Sequence, residues 1–357
     1  MAHPQPRPVS CSNRRSALSR LDEDDLTEDV TSNLIDPHAK PLPSLSAHHI
    51  DPHSYPDGVA FLDGQYLPMS QAKISVLDWG FLHSNATYDT VHVWDGRFFR
   101  LDLHLDRFFG GLEKLRMTVP FDRDGAAEIL HNCVALSGHR AAYVEMLCTR
   151  GASPTFSRDP RDAVNRFMAF AVPFGSVANA EQLQRGLHVA ISDKVRIPPA
   201  SIDPTIKNYH WLDLVRGLYD AYDRGAETAL LLDFNGNVAE GPGFNVFCVA
   251  DGKLSTPAVG VLPGITRRTV FDLCAEAGLA VAAADVSVAA LRQSDEVFIT
   301  STAGGIMPVT NRRYSGRGRQ GRCDYESPHG DLLAEARRPR LVQPGALSLT
   351  RSLGYAR

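Results

Sequence analysis

The nine residues Asp203–Trp211 read DPTIKNYHW and contain Lys207, one of six lysines in a chain where arginine is much commoner. Because this chain uses arginine for most plain positive charges, the amine at position 207 suggests chemistry that a guanidinium cannot perform. An amine can lose its proton and attack a carbonyl group. We predict that Lys207 lies at the start of a helix, where positive potential and neighbouring aromatic side chains would lower its pKa. The alternative is a solvated surface lysine.

The sequence around this stretch is densely patterned from Val59 to Val309. Asp-Gly and Asn-Gly pairs between apolar alternations predict hairpins, and apolar residues at helical spacing predict several helices, among them one from about Tyr209 to Asp223. The mixture predicts an α/β or α+β fold with two domains, a smaller N-terminal α+β domain at 58–178 and a larger domain of mixed strands and helices at 186–311.

The two ends of the chain lack this patterning. Residues 1–57 are rich in Pro, Ser, Asp and His, a composition that predicts a disordered extension. The tail at 312–357 is rich in arginine, contains no lysine, and is predicted to be poorly ordered.

Three later motifs can carry chemistry, although each also has an ordinary structural explanation. Glu240 sits in a rigid turn, EGPG, where a carboxylate could face a cationic ring nitrogen or simply face water. The sequence LPGIT places Ile265 and Thr266 at a helix start, where free amides bind phosphate but also occur as plain caps. Thr302, in TSTAGG, adds a hydroxyl at a strand end.

The N-terminal domain contributes further candidates. Arg107 lies off the apolar stripe of its helix and could clamp a phosphate or remain solvated. His83 and Tyr88 precede a hairpin. Tyr143 and Glu145 alternate on one strand and therefore share a face, although a salt-bridged edge glutamate would look the same.

Composition and spacing exclude several other classes. The net charge of -4 gives no electrostatic case for nucleic acid or an anionic membrane, and no apolar run is long enough to span a bilayer. Six scattered cysteines without a C-x-x-C pair fit a reducing compartment, so we expect a cytoplasmic protein. The histidines show no metal-binding spacing, and no metal site is predicted.

Taken in order along the chain, these motifs resemble the class IV aminotransferases, which are fold type IV enzymes dependent on pyridoxal 5'-phosphate. The resemblance covers residues 58–311, and two stretches, at 77–107 and 203–217, are most similar to the (R)-selective amine transaminases. It implies that Lys207 binds the cofactor as a Schiff base and acts as the catalytic base, and that Glu240 pairs with the pyridine nitrogen. It further implies a phosphate site and a ring contact formed by Arg107, Ile265, Thr266, Thr302 and Leu262, and substrate pockets lined by His83, Tyr88, Tyr143, Glu145 and Trp211.

The implied reaction moves an amino group from a primary amine or amino acid to a 2-oxo acid. Branched-chain aminotransferases carry an arginine where this chain has Glu145, which favours an amine or an unusual acceptor over leucine, isoleucine and valine. The similarity to the (R)-selective amine transaminases implies selectivity for (R)-amines. A branched-chain or D-amino acid aminotransferase, a lyase of the same fold, and an inactive cofactor-binding protein remain alternatives. The resemblance also implies a homodimer in which a loop of a second subunit closes the pocket.

Overall fold

The computed structural model of the chain describes residues 55–310 and one strand at 342–344. The predictions for residues 1–54 and for most of the tail at 312–357 concern residues outside the described ones. In chain order the strands are β1 (Val59–Leu62), β2 (Gln65–Pro68), β3 (Ala86–Trp94), β4 (Arg97–Phe99), β5 (Ala142–Ala152), β6 (Val164–Pro173), β7 (Val189–Val195), β8 (Thr228–Leu232), β9 (Asn245–Ala250), β10 (Lys253–Pro257), β11 (Val281–Ala284), β12 (Glu296–Ser301), β13 (Gly305–Pro308) and β14 (Val342–Pro344). The helices are α1 (Trp79–His83), α2 (Leu101–Leu115), α3 (Arg123–Ser137), α4 (Ala180–Arg185), α5 (Leu212–Asp223), α6 (Ile265–Ala277) and α7 (Val288–Gln293), with two 3-10 turns at Met69–Gln71 and Pro160–Asp162.

The N-terminal half is built on an antiparallel sheet in the order β14-β4-β3-β5-β6-β1-β2. Its tight turns are the Asp-Gly pairs predicted from the sequence: Asp63-Gly64 joins β1 to β2, and Asp95-Gly96 joins β3 to β4, with both residues of each pair at positive φ. Helices α2 and α3 cover one face and bury an apolar core against it. The other face of β3 and β5 remains available to the second half of the chain.

The C-terminal half contains a sheet in the order β11-β10-β9-β12-β13 and a parallel pair, β7 and β8. Helix α6 packs on the larger sheet, and α5 packs on β7 and β8. Together the two halves confirm the predicted mixture of α and β structure. We keep 58–178 and 186–311 as proposed domain boundaries.

The two halves meet where the Lys207 segment pairs with β3. Thr87 and Asn208 form an isolated antiparallel bridge, and the amide of Tyr88 donates to the carbonyl of Lys207 over 3.0 Å. The predicted helix start at Tyr209 is wrong by three residues, because α5 begins at Leu212. The reason is local: the side chain of Asn208 accepts a hydrogen bond from the amide of His210 and holds an extended turn before the helix. Among the described helices, none is long and apolar enough to cross a membrane.

Candidate active site

A cavity of about 230 Å³ lies where the Lys207 segment, β3, the turn after β8 and the start of α6 come together. Ten of the twelve residues singled out in the sequence line it: Arg107, Lys207, Glu240, Leu262, Ile265, Thr266, Thr302, Tyr88, Tyr143 and Trp211. Residues more than 200 positions apart therefore converge on one space, which their sequence order alone could not establish.

Lys207 is anchored through its own carbonyl, which also accepts a hydrogen bond from the Thr87 hydroxyl over 2.9 Å. Its Nζ lies over the ring of Tyr88, 4.5 Å from the centroid. Burial lowers the pKa of Lys207, the nearby Arg107 lowers it further, and three carboxylates in the surroundings oppose the shift. The expected depression of the pKa is present, but it comes from burial and Arg107, because Lys207 lies five residues before the helix begins.

Glu240 is a buried carboxylate that already holds defined partners. Its Oε1 accepts from Nη2 of Arg196 over 3.0 Å, and its Oε2 accepts from the amide of Leu262 over 2.9 Å. Burial raises the pKa of Glu240, while Arg196 and the Leu262 amide act in the opposite direction. The carboxylate is thus held in one orientation at the cavity wall, where it can receive a cationic N–H from a ligand.

The first turn of α6 forms a second wall. Gly264 precedes the helix, and the amides of Ile265 and Thr266 belong to the turn that has no intrahelical acceptors. A Cβ at position 264 would lie 2.2 Å from Oδ1 of Asn245, whose Nδ2 donates to the Leu262 carbonyl and fixes this turn. Only glycine leaves the turn undisturbed, and the result is a row of amides open to an anion.

Arg107 reaches the same end of the cavity from α2. The carboxylate of Asp89 accepts from its Nε over 2.7 Å and from its Nη2 over 2.9 Å, and the Pro263 carbonyl accepts from its Nη1 over 3.1 Å. Two guanidinium hydrogens remain for a ligand. Burial alone would raise the pKa of the fully buried Asp89, but Arg107 and His104 outweigh it and hold that pKa well below its usual range.

Tyr143 and Thr90 form a third wall, with Glu145 behind them. The hydroxyl of Tyr143 donates to Oε2 of Glu145 over 3.1 Å, Thr90 donates to the same oxygen over 3.2 Å, and Tyr209 donates to Oε1 over 2.8 Å. Glu145 itself does not line the cavity but lies behind Tyr143 and Thr90, which do. Burial raises the pKa of Glu145, and its three hydroxyl partners and Lys207 oppose the shift.

His83 does not reach this cavity. It is the exposed last residue of α1, where its ring contacts that of Trp79. Three residues that the sequence did not single out are added by the structure: Arg196 behind Glu240, and Asp89 with His104 behind Arg107. The sequence signals for the last two were weak: Asp89 is the acidic residue of β3, and His104 precedes Arg107 by three positions on α2.

The lining residues suit pyridoxal 5'-phosphate. An amine, a buried carboxylate and a helix-start row of amides offer one partner each to its aldehyde, its ring nitrogen and its phosphate. Oγ1 of Thr300, at the same wall, is buried without a hydrogen-bond partner among the described residues, as expected where a polar ligand completes the site.

The raised pKa of Glu145 predicts how stability depends on pH. The folded state holds its proton more tightly than the unfolded state, so this stabilisation is present below the ordinary pKa of 4.5 and lost as pH rises through the raised value. We expect Glu145→Gln, which cannot titrate, to gain in free energy of unfolding relative to the unaltered protein as pH rises above 4.5, by at most about 1.4 kcal/mol per pH unit. Urea unfolding across this range measures the difference, and the exposed Glu113→Gln controls for the substitution itself. A difference that is constant or falls with pH would contradict the assignment.

Comparison with known proteins agrees with this geometry. The family model described as amino-transferase class IV matches residues 86–311. A putative branched-chain-amino-acid aminotransferase of Methanocaldococcus jannaschii is 31% identical over 252 residues, covering 70% of this chain and 86% of the relative. A D-alanine aminotransferase of Listeria monocytogenes is 28% identical over 243 residues, covering 67% of this chain and 82% of the relative.

Solved structures show the same fold. The branched-chain amino acid aminotransferase of Thermobaculum terrenum, in a crystal structure of its PLP-form (holo-form), superimposes with a TM-score of 0.68 at 26% identity, covering 79% of this chain and 93% of that one. The class IV aminotransferase family, the fold and the cofactor inferred from the sequence are confirmed. The chain belongs to the class IV aminotransferase family.

Proposed function

We propose that this protein transfers an amino group from a primary amine or amino acid to a 2-oxo acid, with Lys207 as the residue that carries the reaction. The observation that supports this role most directly is the buried amine of Lys207, with its lowered pKa, in the same cavity as the buried carboxylate of Glu240. Bound there, pyridoxal 5'-phosphate supplies an aldehyde that reacts with amines and a ring that accepts electron density.

The residues divide the work by position. The amides at the start of α6 and the free hydrogens of Arg107 would hold the phosphate, which anchors the cofactor equally at every stage. Glu240 would hold the proton on the ring nitrogen, and Leu262 would pack on the ring. Lys207, once the substrate amine displaces it, would take the proton from the substrate carbon and deliver it to the cofactor carbon, a role that the lowered pKa of its amine favours.

Covalent trapping tests the role of Lys207. Borohydride reduction of the cofactor-loaded protein, followed by peptide mass spectrometry, should place the label on Lys207. Lys207→Ala should lose the label and about 10²–10⁴-fold in turnover, the usual cost of removing a general base. Lys253→Arg, at an exposed position on β10, is the matched control and should retain both. A label on another residue, or on none, would overturn the proposal.

The wall formed by Tyr143 and Thr90 bears on the choice of amino donor. Each hydroxyl has a single hydrogen, and the hydrogen bonds that link Thr90, Tyr143 and Glu145 use both hydrogens, so the two hydroxyls offer only lone pairs to the cavity. A substrate carboxylate placed here would find acceptors and a carboxylate behind them, but no donor. We infer that a donor without a carboxylate at this wall is preferred, so that an amine is favoured over the matching amino acid.

The pair 1-phenylethylamine and phenylglycine tests this preference, because the two differ only in a methyl or a carboxylate. Followed as the half-reaction without acceptor, the amine should react at least about 10-fold faster at equal low concentration, as expected from the cost of leaving a charged group unsatisfied. Glu145→Gln should narrow the ratio, since the amide can donate and free a hydroxyl hydrogen for the cavity. Both enantiomers of each donor would be measured, and faster reaction of the (R)-amine would support (R)-selectivity. A preference for phenylglycine, or a ratio unaffected by Glu145→Gln, would refute the inference.

A homodimer is proposed as the working assembly. Phe81 and Leu82 on α1 are 66% and 48% exposed, which is unusual for large apolar side chains on one short helix. His83, on the same helix, can reach a substrate pocket only if that pocket belongs to a second copy, since it does not line its own. An apolar contact between two copies of the chain would then cover α1 and place His83 at the substrate pocket of the second copy, as the resemblance implies.

Phe81→Glu tests the assembly, because a buried charge at the contact should convert a dimer into monomers with reduced activity. Analytical ultracentrifugation gives the mass, and Phe234→Glu, also at an exposed phenylalanine, is the control. A monodisperse and active monomer of the unaltered protein would refute the proposal.

A cytoplasmic location remains a proposal. It is supported by the cysteines, since Cys133, Cys148, Cys248 and Cys274 are buried free thiols, as in proteins of reducing compartments. Cell fractionation checks it.

A further inference from the structure

Arg196 is an unassigned charged residue at the cavity, immediately after β7. Its Nη2 donates to Oε1 of Glu240 over 3.0 Å, and its Nη1 donates to Oδ2 of Asp213 in the first turn of α5. All three side chains are nearly buried, with 13%, 9% and 10% of the side-chain surface of Arg196, Glu240 and Asp213 exposed. One guanidinium therefore joins two carboxylates, of which only Glu240 and not Asp213 lines the cavity.

Asp213 fixes the guanidinium in place. Its Oδ2 also accepts from the amide of Ile197 over 3.0 Å, and its Oδ1 accepts from the amide of Leu214 over 2.8 Å. The backbone of Arg196 is tied as well, since its amide donates to the Leu232 carbonyl over 2.8 Å. With both ends held, the guanidinium cannot leave Glu240 without breaking a buried pair, and loss of such a pair is strongly destabilising.

Glu240 depends on this contact for its charge. A buried carboxylate tends to take up a proton, and the opposing influences on Glu240 are Arg196, the Leu262 amide and, at greater distance, Lys207. Arg196 is the only full charge that contacts the carboxylate within the described part of the chain. Without Arg196, the neutral, protonated form of Glu240 would be more populated, and a neutral carboxyl group cannot form an ion pair with a protonated ring nitrogen.

We propose that Arg196 is a positioning residue that keeps Glu240 ionised and aimed at the cofactor's ring nitrogen, with Asp213 as its anchor. The proposal rests on the proposed function, because Glu240 must face that nitrogen. In this role Arg196 makes no contact with the reacting atoms. The effect of Arg196 is therefore expected in the affinity of the protein for a cofactor ring that contains the nitrogen.

Binding of two cofactor analogues separates this role from a purely structural one. The dissociation constants of pyridoxal 5'-phosphate and of its 1-deaza analogue, which has carbon in place of the ring nitrogen, are measured on the apoprotein. Arg196→Gln should weaken binding of pyridoxal 5'-phosphate by about 10-fold or more, as expected for loss of a charged hydrogen-bond partner, and change binding of the deaza analogue by less than about 3-fold. Arg196→Lys keeps the positive charge but cannot donate to two carboxylates in the geometry of a guanidinium. Its affinity for pyridoxal 5'-phosphate should lie between those of the unaltered protein and Arg196→Gln, as should that of Asp213→Asn.

A double-mutant cycle with Glu240→Gln tests whether Arg196 acts through Glu240. In the Glu240→Gln background, Arg196→Gln should cause no further loss of affinity for pyridoxal 5'-phosphate. Arg185→Gln, which breaks the Arg185–Glu227 pair in the same half of the chain, is the control and should affect neither ligand. Thermal unfolding of each apoprotein identifies variants that fail to fold, in which case Arg196→Lys and Asp213→Asn carry the test.

Equal losses for both analogues, or additive losses in the cycle, would overturn the proposal and leave Arg196 as a structural bridge. That outcome differs from failure of the proposed function, in which the unaltered protein would bind neither analogue or carry no label on Lys207.

Discussion

The two hydrogen bonds accepted by the Lys207 carbonyl are the contact on which the rest of the site depends. Both come from β3, one from the Tyr88 amide and one from the Thr87 hydroxyl. They hold the amine over the Tyr88 ring, where the Lys207 segment pairs with β3. A lysine free in solution would keep its proton and remain mobile, whereas this one is confined where burial and Arg107 lower its pKa and favour the neutral amine.

Charge around this amine is arranged in pairs. Arg107 is matched by Asp89, and Glu240 is matched by Arg196, so each charge that would face the cofactor is backed by an opposite charge in the protein. Burying single charges would be too costly, and pairing makes their burial tolerable while fixing their direction. The Tyr143 and Thr90 wall follows the same logic with hydroxyls, whose hydrogens are used in hydrogen bonds among Thr90, Tyr143 and Glu145.

Local signals in the sequence predicted the fold well. Asp-Gly turns have the positive φ angles that their hairpins need, and the LPGIT motif correctly placed Ile265 and Thr266 at the start of α6. The start of α5 was missed because the Asn208 side chain and the bridge to Thr87 hold the preceding segment extended, and that bridge is a long-range contact. Arg196 was missed for a related reason: its partners Asp213 and Glu240 lie 17 and 44 positions away, and no local pattern encodes such a pairing.

Anchoring Lys207 to β3 also determines what cofactor binding does to the whole chain. The amine belongs to the seam with the first sheet, whereas the α6 amides and Glu240 belong to the second half. A cofactor bound to Lys207 and also to the α6 amides and Glu240 would link the two halves of the chain. Ligands that bind only the folded state stabilise that state by mass action. Vitamin B6 supply would thus set the lifetime of this protein against proteolysis as well as its catalytic capacity.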